Sequence, residues 1–376
     1  MANIEIRPVR TESEKRIFLT FPWKIFKDDP FWVPPLLPER QKAIDPEHSA
    51  FLKRGVAEFF IAWRNGEPVG TICAAEDPPT NAMRGKKECV FGFFDYIEDQ
   101  DVFRALIECA SDWGRTRGLQ ELYGPWNLDY EDSYGVLVEG RDRPPALMCG
   151  HTPEYYPPFM DNYGFEKARP QNVALGAEIA ETPQIQRMAR VAERIRKKGW
   201  ITIRNADFNR PEDEIDNLYE LLNTALAHLE DHIGWQRESV AAMVEPFMQI
   251  ADPELILFAD VRGETVGFLP GLPDLNEIFT HVNGLRTPWN YLQLLWRMKT
   301  QKIHNLTIKS VLVLPEYWNT GVGILLFDEL VKRAMAKGYT WTDLSITSID
   351  NPNTIILAEH MGAEIYKRWQ IYRLDI

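Results

Sequence analysis

The sequence predicts a mixed α/β fold of two similar domains, each with a mixed sheet that carries helices on both faces. A strand-turn-strand hairpin occurs twice, at 59–72 (FFIAWRNGEPVGTI) and at 255–269 (LILFADVRGETVGFL). A helix that ends at a glycine and passes into an alternating strand also occurs twice, at 162–175 and at 360–374. Repeats in the same order indicate one ancestral unit that has been duplicated.

The spacing of these repeats is the third observation. Gly70 and Gly164 are 94 residues apart, and Gly267 and Gly362 are 95 residues apart. A helix between each pair of glycines lies at a different position in the two halves. This difference indicates an insertion of roughly twenty residues, placed in a different loop of each half.

Each half then has the same order of elements: a strand, one or two helices, the hairpin, a strand, a helix, a strand, a helix and a strand. This order does not match a doubly wound series of alternating strands and helices. Residues 181–198 have apolar positions at helical spacing and a basic end, which is typical of a helix. We therefore expect one domain at 1–180, a linker helix at 181–198 and a second domain at 199–376.

Composition excludes several classes of function. The chain of 376 residues has 42 basic and 55 acidic residues, a net charge of −13, which disfavours nucleic acid and anionic membranes as partners. No stretch has the length of a membrane span and the N-terminus has no apolar leader, so we expect a cytoplasmic protein. The four cysteines show no C-x-x-C spacing, and no metal site is predicted.

A glycine-containing loop at 314–330 (LPEYWNTGVGILLFDEL) joins a predicted strand to an amphipathic helix. Gly321 and Gly323 at the helix start allow close approach of a ligand, and the free N–H groups there suit a pyrophosphate. The spacing fits neither the dinucleotide pattern G-x-G-x-x-G nor the P-loop pattern. An ordinary tight turn remains an equal alternative on the spacing alone.

The segment 313–338 (VLPEYWNTGVGILLFDELVKRAMAKG) resembles motif A of the GNAT acyltransferase superfamily, [Arg/Gln]-x-x-Gly-x-[Gly/Ala]. Trp318 stands where that motif has Arg or Gln. Asn351 and Gly362 match the asparagine and the glycine of the family's last helix. The whole chain resembles a bacterial group of tandem GNAT-like proteins, and this resemblance implies two twisted, mostly antiparallel sheets flanked by helices.

The resemblance implies an N-acyltransferase, with acetyl transfer favoured, that moves an acyl group from acetyl-CoA or another acyl-CoA to a small-molecule or peptide amine. From the net charge we expect no nucleic acid and no membrane partner, and a homo-oligomer remains possible. The acyl-CoA is expected in the second domain, on Val311, Val313, Leu314, Trp318, Asn319, Thr320, Gly321, Val322, Gly323 and Asn351. The corresponding loop of the first domain is acidic and would repel a pyrophosphate, so we expect one site per chain.

Many family members use a tyrosine on the last helix as a general acid, but Ala358 occupies that position here. The catalytic candidates are therefore Asp343, Glu359 and His360, although each of these residue types is more often solvated or capping. Without a catalytic group the chain would be a non-catalytic GNAT-like binding or structural protein. A third alternative is an aminoacyl-tRNA donor, which the net charge disfavours.

Four residues are candidates for acceptor binding: Tyr155 and Tyr156 at 151–165, and Asp274 and Asn276 in the insertion of the second domain. The two tyrosines would equally suit packing between domains. The insertion at 125–145 mixes aromatic and acidic residues and would suit a cationic acceptor or an ordered surface loop. His228 and His232 have the spacing of a zinc-binding helix, but Leu229 occupies the position of the zincin general base, which favours a packed or solvated pair.

Overall fold

A computed structural model describes residues 4–128, 135–145, 149–227, 234–248, 251–309 and 311–376. Within these residues the strands form a seven-stranded sheet and a nine-stranded sheet, both mixed and both flanked by helices. The predicted fold class is confirmed.

The first half of the chain contains strands β1 to β8 and helices α1 to α6. Its elements are β1 (Ile4–Pro8), α1 (Glu12–Thr20), α2 (Pro22–Ile25), α3 (Leu37–Ala43), β2 (Val56–Arg64), β3 (Glu67–Glu76), α4 (Pro78–Arg84), β4 (Glu88–Tyr96), α5 (Gln100–Thr116), β5 (Glu121–Gly124), β6 (Val136–Glu139), α6 (Tyr156–Tyr163), β7 (Glu166–Lys167) and β8 (Asn172–Glu178).

The second half carries the helices that surround the candidate site. Its elements are α7 (Pro183–Arg196), β9 (Ile201–Asn205), α8 (Pro211–Ala225), α9 (Arg237–Met248), β10 (Ile256–Val261), β11 (Glu264–Pro273), α10 (Asn276–Phe279), α11 (Pro288–Thr300), β12 (Asn305–Ile308), β13 (Leu312–Val313), α12 (Val322–Lys337), β14 (Trp341–Ser348), α13 (Pro352–His360), β15 (Glu364–Gln370) and β16 (Tyr372–Asp375).

The two predicted hairpins form, and both turn in the same way. Asn65 and Gly66 have φ values of 53° and 81°, and Arg262 and Gly263 have φ values of 54° and 88°. Two consecutive residues with positive φ are typical of the tight turn whose twist matches that of the paired strands. The same local chemistry therefore closes the β2–β3 hairpin and the β10–β11 hairpin.

The two halves exchange their last strands. The first sheet has the order β1-β2-β3-β4-β5-β16-β7, so the C-terminal strand of the chain lies between two strands of the first half. The second sheet has the order β6-β15-β8-β14-β12-β11-β10-β9, with β13 also paired to β11, so β8 lies between two strands of the second half. Each sheet is therefore complete only when both halves of the chain have folded.

Strand β11 separates the two layers that pack on the second sheet. Gly267 and Gly271 lie under α12, where an added Cβ would be 2.9 Å from Val322 and 2.7 Å from Leu330. Phe268 and Leu272 belong to the cluster formed with α8 and α9 on the opposite face. Since successive residues of a strand point to opposite faces, α12 lies on one side of the sheet and α8 and α9 on the other.

Candidate active site

The second sheet divides in the middle. Strands β12 and β14 pair in parallel up to Thr307 and Asp343. Beyond this point β13 continues on β11, whereas β14 shifts register after Asp343 and continues on β8. Ser345, with φ of 75°, lies in the irregular part of β14, and its hydroxyl donates to the Lys309 carbonyl over 3.0 Å. The strands therefore separate just after Asp343.

The glycine loop follows β13, the strand on one side of this gap, and leads into α12. Gly321 is the N-cap residue with φ of 97°, and no described side chain caps the helix. The first N–H groups of a helix have no partner within it, so those of Val322 and Gly323 are available to an anion. A Cβ added at Gly321 would collide with Ile195 of α7, whereas one added at Gly323 meets no atom of the described chain within 4 Å. Gly323 thus borders open space.

Trp318, the residue that departs from the motif, has a structural role in this loop. Its indole Nε1 donates to the Val313 carbonyl over 2.8 Å, although the ring is half exposed. Leu314 donates its backbone N–H to the Val266 carbonyl over 3.0 Å. The indole therefore ties the loop to the strand that precedes it.

The corresponding helix start in the first half is already occupied by a carboxylate. Asp99 accepts hydrogen bonds from the N–H groups of Asp101 and Val102 at the start of α5, and it pairs with Arg64 over 2.7 Å. The Arg64 hydrogen bond lowers the pKa of Asp99. A ligand pyrophosphate would have to displace this anion, which makes the α5 end a poor phosphate site.

Asp343 is the centre of a buried polar cluster at the division of the sheet. The side chain is fully buried. Its Oδ2 accepts from the Tyr366 hydroxyl over 2.6 Å, and its Oδ1 accepts from Thr307 Oγ1 over 3.2 Å and from the Ser345 N–H over 3.1 Å. Burial raises the pKa of Tyr366 well above its usual range, so the hydroxyl remains a donor.

Asp274 lies in the same cluster and has an unusual pKa. Its side chain is only 5 % exposed and accepts the Asn276 N–H over 3.1 Å. The pKa of Asp274 is raised to about 7, mainly by burial and also by the charge of Asp343, whereas the hydrogen bond from the Asn276 N–H and the charge of Lys309 act to lower it. A carboxyl group that titrates near neutral pH can act as a general base.

The first half of the chain contributes Cys149 to this buried polar cluster. Burial raises the pKa of the Cys149 thiol to about 12, which keeps it protonated and unsuited to be a nucleophile. Lys367 is fully buried nearby, and its ammonium donates to the Arg143 carbonyl over 2.8 Å and to the Gly140 carbonyl. Burial lowers the pKa of Lys367 to about 8. The loop after β6 is thereby held against the second sheet.

A cavity of about 510 Å³ adjoins the cluster on the face opposite α12. Cys149, Lys309 and Ser345 lie at the end next to the cluster, and Asp207 and Glu214 also line the cavity. Most of its wall is apolar and comes from α8, α9, β10 and β11: Ile215, Leu218, Leu222, Leu226, Trp235, Met243, Val244, Met248, Ile256, Phe258, Phe268, Pro270 and Leu272. This volume is within the range of small-molecule sites, and the wall is chemically suited to an alkyl chain.

Comparison with known proteins finds similarity to the GNAT family in the second half of the chain. The model of the acetyltransferase (GNAT) family matches residues 215–363, which include the glycine loop, Asp274 and Asp343. A bacterial ceramide synthase of Caulobacter vibrioides is 29% identical over 379 residues, covering 99% of this chain and 97% of that protein. Protein YghO of Escherichia coli is 26% identical over 375 residues, covering 99% and 95%. The second half of the chain therefore resembles the GNAT family.

A solved tandem GNAT protein from the clavulanic acid biosynthesis pathway has the same fold. Its TM-score is 0.58 at 12% identity, and the match covers 99% of this chain and 98% of that one. The predicted tandem GNAT resemblance is confirmed.

The structure brings together only some of the predicted site residues. Asp343 and Asp274 lie in one buried cluster, although the sequence placed them in different roles. Glu359 and His360 are exposed on α13 and do not line the cavity. Asn351 caps α13 by accepting the Thr354 N–H over 3.4 Å.

The other predicted acceptor residues have structural partners. Tyr156 is buried in the first core and donates to the Phe94 carbonyl over 3.2 Å, and Tyr155 donates to the Tyr96 carbonyl. These tyrosines therefore pack within the first half rather than at the cavity. Asn276 donates to the Pro145 carbonyl over 2.9 Å. The histidine pair at 228–232 and the acidic residues at 129–132 lie outside the described residues.

Sequence reasoning missed three residues of the site. Tyr366 follows α13 in the chain and reaches Asp343 from β15. Lys309 follows β12 directly, so its place at the end of a strand beside the motif was a usable signal. Cys149 had no such signal, because it comes from the other half of the chain.

Proposed function

We propose that this protein is an acyl-CoA-dependent N-acyltransferase for a substrate with a long alkyl chain. The observation that carries the proposal is the apolar cavity that ends at the buried polar cluster, where β12 and β14 separate. A site for acetyl transfer between two small molecules would not need an apolar wall of this size.

The acyl-CoA would bind on the α12 side of the sheet. The N–H groups of Val322 and Gly323 would hold the pyrophosphate at the helix start, and the thioester would enter the gap between β13 and β14. The cavity lies on the other face of the sheet, so donor and acceptor would meet at the gap from opposite sides.

Asp274 is assigned as the general base. As a carboxylate it would take a proton from the ammonium form of the acceptor, and the neutral amine would then attack the thioester carbonyl. The Lys309 ammonium would stabilise the oxyanion of the tetrahedral intermediate. The C–N bond forms, the C–S bond breaks, and the CoA thiolate takes the second proton of the nitrogen, so the products are an amide and free CoA.

One relative supports a lipid substrate. The Caulobacter vibrioides relative is named a ceramide synthase, and a ceramide is an amide of a long-chain amine with a fatty acid. Both partners of such a reaction have an alkyl chain, and either chain would fit an apolar cavity.

Four substrate combinations test the proposal. The full-length protein is given palmitoyl-CoA or acetyl-CoA with sphinganine or ethanolamine, and amide formation is measured by mass spectrometry. We expect the pair without a long chain to react at least about a hundredfold more slowly than the best pair. The substrate whose shortening causes this loss is the one whose chain occupies the cavity.

Two results would oppose the proposal. CoA binding in calorimetry without amide from any pair would favour a non-catalytic GNAT-like protein. Equal rates for all four pairs would mean that the cavity does not select an alkyl chain.

A further inference from the structure

Helix α11 presents an apolar surface to solvent. Of the large hydrophobic side chains that are exposed in the described structure, six lie on this 13-residue helix, with 41 to 65 % of each exposed. They are Trp289, Tyr291, Leu292, Leu295, Trp296 and Met298. We call them the α11 face. At 100° per residue they cover about half of the helix circumference.

The exposure is not the result of a loosely held helix. At the N-terminus of α11, the N–H and the hydroxyl of Thr287 donate to Asn290 Oδ1 over 3.1 and 2.9 Å. At the other end, Arg297 donates to Gln301 over 2.6 Å, and Gln301 donates to the Glu277 carbonyl over 3.0 Å. The opposite side packs on a small core through Leu294. The protein therefore fixes α11 with its apolar side outward.

The charge around the α11 face is positive, unlike that of the whole chain. No Asp or Glu occurs between Glu277 and Glu316 in the sequence, whereas Arg286, Arg297, Lys299 and Lys302 lie on or beside α11. The net charge of −13 therefore belongs to other parts of the chain.

Acidic and basic groups of neighbouring elements meet at the start of α11. Glu12 and Asp45 line a depression between α1, α3 and the start of α11, and Lys15 and Arg16 line the same depression. The carboxylate of Glu277 is occupied by the N–H groups of His304 and Asn305. Lys299 and Lys302 at the far end of α11 are exposed.

We propose that the α11 face inserts into the headgroup region of an anionic lipid bilayer, with the surrounding Arg and Lys side chains on the lipid phosphates. Tryptophan and tyrosine are enriched at membrane interfaces, and basic amphipathic helices lie in the interface plane. No helix of the described chain is long and apolar enough to cross a bilayer, so the contact is peripheral. A second copy on the same face would bring like charges together, which argues against a symmetric dimer.

Helix α11 and the proposed base Asp274 belong to the same segment of the chain. The segment between β11 and β12 begins at Asp274 and contains α11, so one insertion carries both the proposed base and the apolar face. This inference does not rest on the proposed reaction, because membrane binding is measured without substrate.

Vesicle co-sedimentation of the full-length protein tests the inference. We expect the protein to bind vesicles of phosphatidylcholine with phosphatidylglycerol and to bind phosphatidylcholine alone more weakly. Binding should also weaken as the NaCl concentration rises from about 50 to about 500 mM.

The double variant Trp289→Gln with Trp296→Gln should lower the partition coefficient at least about tenfold. The double variant Lys299→Glu with Lys302→Glu should remove the preference for phosphatidylglycerol. The matched control is Val56→Gln with Met83→Gln, which changes two exposed apolar residues of the first half and should leave binding unchanged.

Sedimentation velocity without vesicles and circular dichroism complete the test. We expect the tryptophan variants to keep the helix content and the oligomeric state of the unaltered protein. A lack of vesicle binding by the unaltered protein, or equal binding by all variants, would overturn the proposal. An oligomer that dissociates in the tryptophan variants, without vesicle binding, would also overturn it and would make the α11 face an interface between copies.

Discussion

Tyr366 donates a hydrogen bond to Asp343 across a strand that comes from the other half of the chain. The two residues lie on β15 and β14, and β8 runs between these strands with Gly176 opposite both Asp343 and Glu364. A Cβ added at Gly176 would lie 3.1 Å from the Tyr366 ring and would collide with Trp341. The exchanged strand therefore permits this contact because it has no side chain at that position.

Removal of the Tyr366 hydroxyl should destabilise the protein. Tyr366→Phe leaves one oxygen of a buried carboxylate without its donor, which costs about 1–3 kcal/mol. The free energy of unfolding from urea titration measures the effect. Tyr163→Phe, at a half-buried tyrosine of α6, is the control and should change stability by less. A loss in Tyr366→Phe no larger than in the control would show that the hydrogen bond contributes little.

The pKa of Asp274, raised to about 7, should appear in the pH dependence of stability. The unfolded carboxyl titrates near pH 4. Between about pH 4 and 7 the folded protein therefore holds a proton that the unfolded chain has lost, and stability falls as pH rises. Asp274→Asn should remove this slope, which is on the order of 1 kcal/mol per pH unit. Parallel pH profiles for both proteins would contradict the raised pKa.

The same carboxyl should control the rate if it is the base. We expect kcat/KM of the unaltered protein to rise with pH up to about 7, as Asp274 becomes a carboxylate. In Asp274→Asn the rate should fall by about 10²–10⁴-fold and this acidic limb should disappear. An unchanged acidic limb in the variant would assign the limb to another group.

Gly323 offers a clean test of the phosphate site. A Cβ there meets open space, so Gly323→Ala should fold normally and keep CoA binding. Gly323→Asp should also fold, since an acidic side chain suits a helix N-terminus, but its charge should weaken CoA binding at least about tenfold. Calorimetry with CoA measures both variants. Gly321 is unsuitable for this test, because substitution there disturbs Ile195. Equal affinities would exclude a pyrophosphate at this helix end.

Filling the cavity should shorten the preferred chain. Leu218→Trp enlarges a buried side chain of the cavity wall, and we expect slower reaction with the long-chain substrate and little change with its short analogue. Overpacking costs about 1–3 kcal/mol of stability, so unfolding is measured in parallel. Glu220→Trp on the exposed side of α8 is the control. Equal loss for long and short substrates would indicate general damage rather than a chain site.

Local signals in the sequence predicted a large part of the fold. Positive φ at Gly66 and Gly263 and the helix-ending glycines Gly164 and Gly362 follow from residue preferences over a few positions. The glycine loop that starts α12 also follows from residue preferences over a few positions. These features repeat in both halves because the same short-range chemistry repeats, and this made the two-domain prediction possible.

Strand exchange and the composition of the polar cluster depended on tertiary structure. Strand β16 alternates between apolar and polar residues, whereas β8 has three consecutive buried residues, and neither pattern specifies which sheet accepts the strand. Asp274, Asp343 and Tyr366 are far apart in the chain, so only the packed sheet brings them to one place. The sequence by itself thus determined the two α/β units and the glycine loop through local preferences. The tertiary structure decided which side chains share the site, because that depends on contacts between distant segments.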